Sequence, residues 1–150
     1  QGRREANVED IVTAPGQTSL ASGEFIVSFF LPARPAHSSD AYLRVIPRTE
    51  MDIAVVGAGV SLTLDNTGTC VAARLSLGAV APTPLLVDAG AAALIGTTVD
   101  ESVLAKLSKA ASAACNPIDD KRGTIEYRTK VAGVLARRAA EIALQRARAN

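Results

Sequence analysis

Between residues 54 and 65 every even position is apolar: Ala54, Val56, Ala58, Val60, Leu62 and Leu64. The odd positions Gly57, Gly59, Ser61, Thr63 and Asp65 are small or polar, and only Val55 breaks the rule. A period of two sustained over this length predicts a strand with one buried face. Asp65-Asn66-Thr67-Gly68 follows, with Asp to open a tight turn and Gly to accept the left-handed conformation that closes it. The partner strand is expected over residues 70–80, where Val71, Ala73, Leu75, Leu77 and Ala79 alternate with Arg74, Ser76 and Gly78. The two make an antiparallel ribbon.

Further on, the period becomes helical. Thr98-Val99-Asp100-Glu101 fits a capping box, with Thr98 as the cap. Val103, Leu104, Leu107, Ala111 and Ala114 then form one stripe, and Asn116-Pro117 ends the helix. A last helix is expected from about Thr124, with Tyr127, Val131, Leu135, Ala139 and Ile142 on one face and Arg146 and Arg148 suiting its C-terminal dipole. Upstream, residues 1–22 have no sustained period. Residues 24–31 (Glu-Phe-Ile-Val-Ser-Phe-Phe-Leu) read as a buried strand stopped by Pro32. Residues 32–40 are polar and proline-bearing, the best boundary in the chain, and 41–46 form a short strand ending at Pro47. Strands followed by helices, rather than alternating with them, predict an α+β fold: a small antiparallel sheet with helices on one face.

Composition narrows the chemistry. Lys and Arg number 16 against 15 Asp and Glu, a net charge of +1, which gives no electrostatic case for nucleic acid or an anionic membrane. No apolar run reaches the roughly 18 residues that cross a bilayer. The opening residues show no signal peptide, and the only Met is Met51, so the expectation is a piece of a longer protein. Cys70 and Cys115 stand far apart with no Cys-x-x-Cys, which predicts two reduced thiols in a cytoplasmic protein and no zinc site. His37 is the single histidine and falls in the linker, so a Ser-His-Asp or Cys-His site would depend on a residue expected to be mobile. The carboxylate pairs Glu9-Asp10 and Asp119-Asp120 lack the further ligands an ion needs. Arg137-Arg138 reads as a solvated helix face. Gly57-Ala58-Gly59 after an apolar strand evokes a dinucleotide-binding turn, but Leu62 stands where the third glycine belongs and alternation runs on into a hairpin where a helix must begin. The glycines are expected to relieve crowding where another element crosses the sheet.

Three segments are more distinctive: residues 41–56 (Ala-Tyr-Leu-Arg-Val-Ile-Pro-Arg-Thr-Glu-Met-Asp-Ile-Ala-Val-Val), residues 77–84 (Leu-Gly-Ala-Val-Ala-Pro-Thr-Pro) followed by Leu94-Ile95-Gly96, and residues 119–128 (Asp-Asp-Lys-Arg-Gly-Thr-Ile-Glu-Tyr-Arg). In this order and spacing they resemble the C-terminal domain of the FAD-binding (medium) subunit of the molybdenum hydroxylases, the carbon monoxide dehydrogenase and xanthine dehydrogenase family. The resemblance covers residues 41–150. Residues 1–40 resemble the tail and exit strand of the FAD-binding domain that precedes it, plus a linker.

The resemblance implies an antiparallel sheet of three to four strands carrying about three helices. It implies a flavoprotein subunit that works beside a molybdenum-cofactor subunit and a subunit with two [2Fe–2S] clusters, electrons passing through the clusters to FAD. The loops that hold the FAD pyrophosphate belong to the preceding domain. This chain is therefore expected to supply one edge of the flavin site and to have no catalytic residues of its own. By position, Ile26 on the exit strand, Arg44, and the 48–52 loop with Asp52 and Ile53 would lie at that edge. A self-contained α+β interaction or oligomerisation module without redox role is the alternative, and the exposed end of the 24–31 strand could pair with a second copy.

Overall fold

The computed structural model describes residues 2–49 and 52–150. Its centre is a four-stranded antiparallel meander of β3 (Ser38–Val45), β4 (Val56–Leu64), β5 (Cys70–Gly78) and the short β6 (Leu85–Leu86), adjacent in chain order. Upstream, a two-stranded sheet of β1 (Val12–Ala14) and β2 (Gln17–Thr18) follows a single 3₁₀ turn at Val8–Asp10. Three helices follow the meander: α1 (Asp88–Leu94), α2 (Glu101–Ala114) and α3 (Ile125–Ala149). α3 lies across β3 and β4, α1 lies on β5, and α2 packs against both helices. The fold class is α+β with the helices on one face, as expected.

The central hairpin forms as the alternation predicts. Val56, Ala58, Val60, Leu62 and Leu64 are buried on the helix side. The Asp65 carboxylate accepts from the Thr67 and Thr69 N–H groups, and Gly68 takes φ +84°. The predicted partner face needs one correction. A bulge at Thr63/Leu64 pairs Leu64 with Cys70, so Cys70 is fully buried while Val71 is 51% exposed. Past the strand the phase changes again: Ala79 is exposed with φ +63° and Val80 is buried. β3 begins at Ser38, three residues ahead of the strand expected from 41. On the far side of the sheet the glycines of β4 are covered by a neighbouring side chain rather than by a crossing element. A Cβ on Gly57 would stand 2.6 Å from Tyr42 Oη, and Tyr42 also reaches over Gly59.

The helices depart from expectation in three ways. The cap of α2 is Asp100, whose Oδ1 accepts from the Val103 N–H at 3.0 Å, not Thr98, because Val99 takes φ +55° and turns the chain before the helix starts. Helix α1 and strand β6 carry too little periodicity in seven and two residues to be foreseen from the pattern. Gly90 lets α1 lie on the sheet, since a Cβ there would collide with Leu75. Helix α3 starts where expected, capped by Thr124, whose Oγ1 accepts from the Tyr127 N–H, but the buried face is rotated. Ala132, Ala136, Ala139, Ala140, Ala143 and Ala147 are completely buried, whereas Tyr127 is 45% exposed and Val131 and Ile142 are half-buried. A row of alanines lets the helix backbone approach the sheet closely, and larger side chains flank that contact.

The largest correction concerns residues 24–31. They form no strand, and Phe25, Val27, Phe29, Phe30 and Leu31 are all exposed. A strand needs a bonded partner, and among the described residues these pair with none of the strands. Further upstream the arm is held by polar contacts. Arg4 donates from Nε and Nη2 to the Glu24 carboxylate at 2.9 and 2.8 Å. That guanidinium and the Ala21 N–H pull the Glu24 carboxyl down to about 2.

Candidate functional site

The end of the sheet where β3 leads into β4 gathers three of the four residues singled out from sequence. Arg44 is exposed on β3 and pairs in register with Gly57, on the side of the sheet away from the helices. Two residues later the chain leaves the strand and returns at Val55, whose N–H donates to the Val45 carbonyl at 2.8 Å. The connecting loop carries Arg48, Asp52 and Ile53; its Glu50 and Met51 lie outside the described residues. Arg48 Nε donates to Asp52 Oδ2 at 3.0 Å, and Asp52 Oδ1 accepts from the Ile53 N–H at 2.9 Å. The Arg48 guanidinium holds the Asp52 carboxyl below the usual carboxylate range. Both Asp52 oxygens are thus engaged inside the loop, and its side chain is only 5% exposed. Ile53, by contrast, is 66% exposed. Among its described residues the loop offers an apolar side chain, Ile53, and a cation, Arg48, with the Asp52 carboxylate turned to structural use. Ile26 belongs to the unpaired 24–31 segment and is 45% exposed.

Beneath this loop lies an arrangement that the pattern along the chain did not reveal. Arg128, the fourth residue of α3, is 5% exposed. Its guanidinium donates to Asp120 Oδ1 at 2.7 Å, to the Val55 carbonyl at 2.7 Å, to the Ala79 carbonyl at 3.2 Å and to the Gly123 carbonyl at 3.3 Å. Asp120 in turn accepts from the N–H groups of Arg122 and Gly123. Those backbone donors and Arg128 hold its carboxyl below the ordinary range. A groove of about 290 Å³ opens beside this cluster, walled by Ile53, Ala79, Pro82 and Pro117. The sequence signal was available: Arg128 continues the row of Ala132, Ala136 and Ala140 at intervals of four, a charge placed on the most buried line of the helix.

Residues 41–143 match the family model for the CO dehydrogenase flavoprotein C-terminal domain. The chain belongs to this family. The matched span takes in most of β3, all of β4 to β6, α1 and α2, and most of α3, with both the Arg44–Ile53 region and the Arg128 cluster inside it. Among curated proteins, a similar family relative is the carbon monoxide dehydrogenase medium chain of Afipia carboxidovorans, 36% identical over 99% of this chain and 51% of its own length. The 6-hydroxypseudooxynicotine dehydrogenase complex subunit alpha of Paenarthrobacter nicotinovorans is 29% identical over 99% of this chain and 50% of its own. Among solved structures, reconstituted CO dehydrogenase from Oligotropha carboxidovorans superposes with a TM-score of 0.86 at 36% identity, over 92% of this chain and 48% of that one. Quinoline 2-oxidoreductase from Pseudomonas putida 86 gives 0.85 at 28% identity, over 96% and 49%. The chain therefore spans about half the length of the curated relatives it matches. Among the described residues no helix is long and apolar enough to cross a membrane, and no group of three or more His, Cys, Asp or Glu could hold a metal ion.

Proposed function

We propose that this chain is the C-terminal part of the FAD-binding subunit of a cytoplasmic molybdenum-hydroxylase-type oxidoreductase. In this reading residues 1–40 are the tail and exit strand of a preceding FAD-binding domain plus a linker, and residues 41–150 are the family domain. The observation that carries the reading is family membership over residues 41–143. The chain would close one side of the flavin site and support electron transfer from [2Fe–2S] clusters, beside a molybdenum-cofactor subunit.

In this reading the described residues would serve an edge of the cofactor, and Gly57 and Gly59 would not hold its pyrophosphate. A pyrophosphate needs unspent N–H groups at a glycine turn or helix start. Gly57 and Gly59 lie inside β4, paired on both sides by β3 and β5. Exposed Ile53 suits the flat apolar ring system, and exposed Arg44 suits its polar rim. Bound FAD supplies a store for two electrons. Arg44 would stabilise the negative charge gained on reduction and, being a guanidinium, stays charged at every working pH. Ile53 would exclude water from that edge. The exposed apolar run 24–31 would find its strand partners in the preceding domain. The same run favours the second reading, a self-contained interaction module, in which those side chains serve another protein.

The test is Arg44→Gln in the complete flavin subunit. A charge–charge term of about 1–4 kcal/mol, from water-like to protein-surface dielectric, corresponds to a midpoint potential lowered by on the order of 20–90 mV for a two-electron couple. FAD retention should weaken as well. A complete subunit that holds no flavin overturns the reading, and an unchanged potential and occupancy in the variant remove Arg44 from it.

A further inference from the structure

Ile53 itself has little packing to hold it in place. Among the described residues of the loop, Ile53 is two-thirds exposed, and besides the Arg48–Asp52 pair the root is held where the Val55 N–H meets the Val45 carbonyl. The next peptide, through the Val55 carbonyl, is held by Arg128. A guanidinium so nearly closed off from water is tolerated because its N–H groups find acceptors. Those acceptors come from three separate connections: Val55 before β4, Ala79 after β5, and Asp120 and Gly123 in the turn before α3. Ala79 keeps a left-handed φ of +63° without being glycine, a strain that persists only where the surroundings over-determine it. Gly123 allows the close approach: a Cβ there would stand 3.3 Å from Val55 Cγ1 and 3.1 Å from Tyr127 Cδ1.

We propose that Arg128, braced by Asp120, is the positioning residue of the flavin-edge loop: through the Val55 carbonyl it fixes where Ile53 stands. This rests on the reading that the loop borders the flavin. In this proposal Arg128 acts through the Val55 carbonyl and not on the cofactor. Lysine cannot replace it, because one ammonium cannot span acceptors on three connections.

The test has two stages. In the 150-residue chain, Arg128→Lys should speed amide hydrogen exchange at residues 53–56 and 79–81 at least tenfold, leaving Val60, Leu62 and Leu75 unchanged. Unchanged exchange at Val55 overturns the proposal. Should Arg128→Lys fail to fold, Asp120→Asn, which keeps an acceptor and removes the brace charge, gives the same readout. In the complete subunit the variant should then alter the flavin's visible circular dichroism and speed FAD release at least threefold. Loosened exchange with an unaltered flavin signal also overturns it, by making Arg128 structural only. Leu107→Ala, which loosens the core away from the loop, is the control; an equal flavin change there overturns the specific role. A wild-type subunit without flavin defeats the underlying reading, and this is seen before any variant is made.

Discussion

Gly133 sits where α3 crosses α2, and replacing it with alanine sets two effects of known size against each other. Alanine is the better helix former by about 1 kcal/mol. Yet a Cβ at this position would stand 2.6 Å from Ser112 Oγ, 2.7 Å from Ser108 Oγ and 2.8 Å from the Ser108 carbonyl oxygen. The hydroxyls can rotate away, but the carbonyl belongs to the α2 backbone and moves only if the helices part. Forcing one extra carbon into a close-packed contact costs about 1–3 kcal/mol. Rotating Ser112 also strains its hydrogen bond to the Thr129 carbonyl, 3.0 Å in the native contact and worth about 1 kcal/mol net. Repulsion wins, and Gly133→Ala should lose about 1–2 kcal/mol, a fall in Tm of roughly 2–8 °C for a chain of this size. Urea unfolding followed by circular dichroism measures it. Adding Ser112→Ala should recover part of the loss and leave the part due to the backbone oxygen. A Gly133→Ala variant more stable than wild type would show that the helices do not meet here at the distance described.

Other outcomes follow from the same structure. The Asp120 carboxyl is depressed in the folded state, so its contribution to stability is complete above the ordinary Asp range near pH 4 and is lost as pH falls through its lowered value. Asp120→Asn should therefore be less stable than wild type at pH 7, with the gap closing toward pH 2; urea midpoints across pH read this, and a constant gap would refute it. Burial raises the thiols of Cys70 and Cys115. Both should react slowly with a thiol reagent in the native protein and completely after denaturation without reductant, and a count of zero there would mean a disulfide. Residues 24–31 should exchange amide hydrogens fast and residues 56–64 slowly; equal protection would mean that the arm is part of the core.

What the chain revealed in advance was what strict periodicity encodes. The 54–65 alternation and its Asp-Asn-Thr-Gly turn predicted the central hairpin, and the Val103–Ala111 stripe predicted the buried face of α2. The failures have separate physical causes. A bulge inserts one residue, and an alternation count cannot see it, so Val71 and Cys70 exchanged faces. Alanine is ambiguous in any apolar pattern, so Tyr127, Val131 and Ile142 drew attention from the buried row. The 24–31 run has strand composition, but composition names no partner. At the site, Arg44, Asp52 and Ile53 came through family resemblance and none through composition. Asp120 was visible as half of a carboxylate pair, but its true partner, Arg128, stands eight residues away on another element, joined to it only by the fold.

The end of α3 returns to the place where β3 begins. Asn150 Nδ2 donates to the Ser38 carbonyl at 3.3 Å, and Arg146 Nη1 donates to the Asp40 carbonyl at 2.9 Å. The sheet-and-helix unit thus starts and finishes at one spot on its surface. Where two such points of a unit adjoin, no strand or helix has to span the distance between them. Such a unit can be transplanted whole, reopened at a distant turn such as Asp65–Gly68, or inherited beside a changing neighbour, with no strand or helix having to find a new companion.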